Sequence, residues 1–144
     1  MAYDLPPIAK AANRLLVEIE QAVQTFARRH RYATGADLRA QAMQVARLVN
    51  RAWRDRARLL HWVTELAWAI DELRITVQLG QQLKAFRSFA QFEALIRLVE
   101  DLGRQAGGWK RQQEHPKGQS PAPALAPGRA QTLSTCAASA GANP

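Results

Sequence analysis

Between Arg28 and Arg58 the chain carries nine arginines (28, 29, 31, 39, 47, 51, 54, 56, 58) against two acids, Asp37 and Asp55. That surplus of seven positive charges is nearly the whole formal net charge of +8. Arginine presents a planar fork of donors that matches phosphate and carboxylate oxygens in pairs. Arg47, Arg51, Arg54 and Arg58 step by four, three and four positions, so a helix places them on one face. Like charges at that spacing repel by about 0.2–0.5 kcal/mol per pair. The stripe therefore makes sense opposite a polyanion or an acidic protein. The alternative is a solvated face that is simply rich in Arg. Arg28, Arg29, His30 and Arg31 precede Tyr32, an aromatic placed either to stack on a base or to pack on the fold.

Catalytic patterns are sparse. The histidines are His30, His61 and His115, with no His-x-x-x-His pair and no Asp/Glu/His set at metal-ligand spacing. No Gly-rich phosphate loop occurs. Asp71-Glu72 and Glu100-Asp101 are adjacent acids. Helix geometry turns adjacent side chains about 100° apart, so neither pair converges on one atom. Arg56 and His61 are spaced Arg-x4-His, which resembles the active-site motif of the HEPN-class bundle ribonucleases. Cys136, the single cysteine, supports neither an internal disulfide nor a Cys-based zinc site. No cofactor or metal is expected.

The elements that must position these residues read as helices. Pro6-Pro7 opens the first, with Ile8, Leu15, Leu16, Ile19, Val23 and Phe26 as its apolar stripe, ending in the 28–31 cluster. Thr34 is the expected cap of the second, where Leu38, Ala42, Val45, Val49 and Trp53 share a face. Asp55 reads as a bend or a new N-cap. The third spans about Arg56 to Leu79, with Gly80 as its stop and Leu59, Trp62, Val63, Leu66, Ile70, Leu73 and Val77 inward. It is apolar over more than one stripe, which predicts either a central place or contact with a second subunit. Ser88-Phe89-Ala90-Gln91 reads as a capping box before the fourth, which carries Phe92, Leu95, Ile96, Val99, Leu102 and Ala106 and closes near Gly107-Gly108. Short connections between four such helices predict an all-α, antiparallel four-helix bundle over residues 1–115.

Beyond residue 115 the composition shifts to Ala, Pro, Ser and Gly, with Leu125 and Leu133 as the large apolar residues. Such a stretch buries too little to offset ordering, so residues 116–144 read as a flexible tail. In the whole chain 16 of 20 basic residues are Arg and hydrophobic residues make up 47%, an ordinary globular share. No apolar run reaches the roughly 18 residues that span a bilayer, so no membrane partner is expected. The first residues lack a basic region followed by an apolar core, so the expected setting is cytoplasmic.

Three segments together resemble the Avd family, the four-helix-bundle accessory variability determinants of diversity-generating retroelements. They are Arg29-His-Arg-Tyr-Ala-Thr-Gly-Ala-Asp-Leu38, Arg54-Asp-Arg-Ala-Arg-Leu-Leu60 and Glu100-Asp-Leu-Gly-Arg-Gln-Ala-Gly-Gly-Trp109. Bundle proteins encoded in ribosomal-RNA intervening sequences are wider relatives. The resemblance covers about residues 3–113. It implies a non-catalytic protein that forms a homopentameric, barrel-like ring. Such a protein binds template RNA or DNA, docks a reverse transcriptase and supports mutagenic retrohoming. By motif position it nominates Arg28, Arg29, Arg31, Arg54, Arg56 and Arg58 for nucleic-acid or polymerase contact, beside the Arg47 and Arg51 of the stripe. Trp62, Thr64 and Trp68 depart from the family's more uniform Leu/Arg pattern, and the tail has no counterpart in it.

Three readings follow. The first is this accessory protein. The second is a HEPN-like ribonuclease acting through Arg56 and His61. The third is a structural bundle whose basic face meets an acidic protein.

Overall fold

A computed structural model describes residues 6–115. The segment read as a tail, 116–144, lies outside the described residues, as do residues 1–5. Pro7, with its φ already set for a helix, starts α1 (Pro7–Gln24). The basic cluster does not continue that helix. It forms its own single turn, α2 (Arg28–Arg31), after a break at Thr25–Ala27. Thr25 Oγ1–H donates to Ala22 O at 2.6 Å, closing α1 before the arginines begin. Next come α3 (Thr34–Arg54), a 3₁₀ turn (Arg56–Arg58), α4 (Leu59–Gln82) and α5 (Phe89–Glu114). Among the described residues there is no strand.

The chain divides into two compact units after Lys110. In the second, described to His115, His115 N–H donates to Arg111 O at 2.8 Å. All that follows concerns the first unit.

Its core is the set of inward stripes. Leu15, Ile19, Leu38, Val45, Leu66, Ile70, Leu73, Val99 and Leu102 are almost wholly removed from solvent. Burying each such side chain contributes about 1.5–3 kcal/mol. α3 packs against both α1 and α4. α5 closes the bundle. Its Gln91 Nε2–H donates to Thr25 Oγ1 at 3.2 Å, and its Gly103 faces Ile70 and Arg74 of α4. The order is thus an antiparallel four-helix bundle, with one end carrying α2 and the α4–α5 connection. Phe26 and Phe86 meet edge-to-face at that end, centroids 5.2 Å apart. Gly35 lies there too. A Cβ on it would stand 2.7 Å from Val23 Cγ1 and 3.2 Å from His30 O, so only glycine lets α3 start this close to α1.

Several expected boundaries move. Thr34 is buried inside the first turn and makes no capping bond, leaving Ala33 at the N-cap. Gly80 does not stop α4. The helix runs to Gln82, and Lys84 takes the left-handed position with φ 58°. Lys84 N–H reaches Gln81 O at 3.0 Å and Ala85 N–H reaches Gly80 O at 2.9 Å, the two closing bonds of a Schellman motif. Gly80 instead makes room for Phe86, whose Cε2 would lie 2.9 Å from a Cβ there. Ser88 does accept from Gln91 N–H at 3.2 Å. The Gln91 side chain, however, accepts from Arg87 N–H at 2.8 Å rather than from Ser88. α5 passes straight through Gly107-Gly108. At Gly80, packing on Phe86 outweighs the roughly 1 kcal/mol helix penalty of glycine.

Candidate nucleic-acid interface

Arg47, Arg51 and Arg54 share the outer face of α3, which ends before Arg58; Arg58 comes to the same side from the 3₁₀ turn instead of from a continued helix. Arg47, Arg51, Arg54 and Arg58 all line one groove of about 800 Å³, together with Asn13 from α1 and Asn50. Leu16, Met43 and Ala46 supply its apolar wall. The four arginines are exposed. From Arg47 to Arg54 the helix rises about 10 Å, roughly three steps of a nucleic-acid strand at 3.4 Å each. The asparagines offer further neutral donors to phosphate or sugar.

One acid also lines the groove. Asp55 ends α3 with φ −100° and ψ 76°, turning the chain into the 3₁₀ turn. Its Oδ2 accepts from Trp62 Nε1–H at 3.0 Å and pairs with Arg58 Nε at 3.1 Å. The Trp62 indole and the Arg58 guanidinium hold the Asp55 carboxyl below its ordinary value, against partial burial, which pushes it up. Trp62 is also the platform for Arg51, whose guanidinium carbon lies 5.3 Å from the ring centre. With Trp109 it packs on the small cluster of Ala52, Leu59 and Val63. Arg51 directly, and Arg58 through Asp55, are thus tied to one tryptophan at the α3–α4 corner.

Arg56 faces another way. Its guanidinium carbon lies 4.6 Å over the Trp53 ring, and its Nε–H donates to Trp53 O at 3.2 Å. His61 rests edge-on against Trp62, centroids 4.7 Å apart. Each member of the Arg-x4-His pair is therefore engaged by its own tryptophan. Trp53 itself, expected on the inward face, is 39% exposed; Ala52 takes the buried place.

The arginines of α2 sit before the start of α3, which along the helix axis lies about 20 Å from Arg47 and about 30 Å from Arg54. Arg28 and Arg29 are exposed, and Arg29 Nε–H donates to His30 Nε2 at 3.2 Å. Arg31 turns inward. Its Nη2 donates to Phe26 O at 3.3 Å and Gln24 O at 3.5 Å, satisfying carbonyls left open where α1 ends. Tyr32 is 68% exposed rather than packed on the bundle. Arg39 pairs with Glu20 of α1. The run that looks continuous in sequence is thus two separate basic surfaces.

Asn13, Asp55 and Trp62 have no signal in sequence that marks them as part of the groove. Asn13 arrives through the α1–α3 packing, and the Asp55–Trp62 bond spans the α3–α4 corner. A second surface lies on α4, where Leu60, Trp68, Ile75 and Leu79 are 44%, 67%, 65% and 45% exposed on one side. Among the described residues no group of three or more His, Cys, Asp or Glu is arranged to hold a metal ion, and no helix is long and apolar enough to cross a membrane. No protein-family model matches the chain, and no curated protein matches it.

Proposed function

We propose that this protein is a non-catalytic accessory bundle that binds nucleic acid through the α3 groove. The observation that carries the reading is the convergence of Arg47, Arg51, Arg54 and Arg58 on one groove with two asparagines. Such a surface neutralises several phosphates at once, and backbone contacts of this kind position a strand without reading its bases. The Avd-like motifs extend the proposal: the nucleic acid is the template RNA or its cDNA, and the protein partner is a reverse transcriptase in the cytoplasm. The exposed Arg28, Arg29 and Tyr32 at the far end supply a separate surface for one of these partners.

Self-association completes the reading. The exposed apolar side of α4, with Leu60, Trp68, Ile75 and Leu79, is the surface offered to a second copy, and it leaves the α3 groove open to nucleic acid. A head-to-tail contact through it closes into a ring where the rotation allows. The resemblance sets the number at five.

The test is binding of the full chain to single-stranded and duplex nucleic acid across salt concentrations. Each neutralised phosphate contributes a log–log slope of about −0.7 to −0.9, so replacing all four groove arginines by Gln flattens the slope by about three. The helical content is expected to stay unchanged. A slope near zero for the native chain defeats the proposal. Co-expression with a neighbouring reverse transcriptase and its template RNA, sized with and without nuclease, tests the partners.

A further inference from the structure

We propose that Asp55 makes the α3 groove select RNA over DNA by accepting a hydrogen bond from a ribose 2′-hydroxyl. The inference rests on the nucleic-acid reading above. A carboxylate is out of place in a groove built for phosphates, since like charges a few ångströms apart oppose binding. Among the described residues Asp55 is the one acid lining that groove. It is not a loose surface side chain. Trp62 Nε1–H and Arg58 Nε both reach the same oxygen, Oδ2, and the side chain is 28% exposed. The Arg58 backbone N–H is a third donor to the carboxylate, whose two oxygens accept about four in all. An ionised carboxylate only accepts, so what it meets in the groove must donate.

The position of Arg58 narrows the donor. Its guanidinium sits 3.1 Å from the carboxylate, so a phosphate held by Arg58 lies beside Asp55. On a sugar–phosphate chain the donor bordering that phosphate is the 2′-hydroxyl. Base N–H groups stand farther out. DNA has no donor at the sugar, and there the carboxylate and phosphate face each other unrelieved. Asp55 thus lets the arginines grip either backbone while penalising the one without a hydroxyl.

The experiment compares one sequence as single-stranded RNA, single-stranded DNA and 2′-O-methyl RNA, bound by the full chain at a single salt concentration. The expected result is RNA tighter than DNA by about tenfold, the scale of one hydrogen bond to a charged group. The 2′-O-methyl strand, which lacks the donor, is expected to bind as DNA does. In Asp55→Ala the RNA-over-DNA ratio falls to about one, whatever the absolute affinity of the variant groove. Equal affinity of the native chain for RNA and DNA overturns the inference and leaves the groove reading intact. So does an equal loss for both strands in Asp55→Ala, which marks Asp55 as a structural brace for Arg58 and Trp62. A preference that follows guanine content in both sugars overturns the ribose assignment. Absence of salt-dependent binding to any strand overturns the nucleic-acid reading itself. The 2′-O-methyl comparison needs no mutant, so it decides the matter even where Asp55→Ala folds poorly.

Discussion

The indole N–H of Trp62 donates to Oδ2 of Asp55 at 3.0 Å, joining the first turns of α4 to the end of α3. The same carboxylate pairs with Arg58, and the same indole lies under Arg51. The α3–α4 corner and two groove arginines thus share one pair of side chains, Asp55 and Trp62.

That bond makes stability depend on acid. The Asp55 carboxyl is held low by Trp62 and Arg58, so the folded state favours its ionised form. Its contribution is fully present above the unfolded carboxylate value of about 3.9 and is lost as pH falls through the lower folded value. The native chain is expected to have a higher urea midpoint than Asp55→Asn at neutral pH. The gap closes below about pH 4. A gap that stays constant into acid contradicts this account.

Arg31 and Arg47 separate structure from binding. Arg31 donates to the carbonyls of Phe26 and Gln24, so Arg31→Gln is expected to cost about 1 kcal/mol of stability. Its effect on the salt slope of nucleic-acid binding should be small. Arg47→Gln reverses the pattern, with little change in unfolding and a slope shallower by about 0.7–0.9. Paired denaturation and salt titrations check both, and matching behaviour of the two variants counts against the assignment.

Lys84 occupies a backbone slot suited to glycine, with φ 58° inside a Schellman motif. A side chain pays for the left-handed region by about 1–2 kcal/mol. Lys84→Gly is expected to raise stability by about 1 kcal/mol, measured as an upward shift in thermal midpoint. No shift, or a fall, shows that Lys84 makes an offsetting contact.

Trp68 and Ile75 test self-association. Both are about two-thirds exposed, so Trp68→Ser with Ile75→Ser leaves the isolated bundle's stability within about 0.5 kcal/mol. Sedimentation is expected to show smaller particles than the native chain forms. An unchanged size moves the contact to another face.

Helical periodicity determined much of this fold. The stripes from Ile8 to Phe26, Leu59 to Val77 and Leu95 to Ala106 point inward as read, because apolar spacing of three and four is a property of one chain segment alone. The register of Arg47, Arg51 and Arg54 was legible for the same reason, whereas Arg58 reaches the groove through the turn at Asp55. Tertiary structure decided the rest. Gly80 read as a helix stop, yet its place is set by Phe86, and Gly35 at the start of α3 is set by Val23 of α1. Arg28–Arg31 and Arg47–Arg58 read as one basic block, but a rigid 21-residue helix holds them at opposite ends. Asn13 joins the groove, and Trp62 comes under Arg51 and against Asp55, only when the helices pack, since a hydrogen bond across a corner leaves no periodic trace in the chain that makes it.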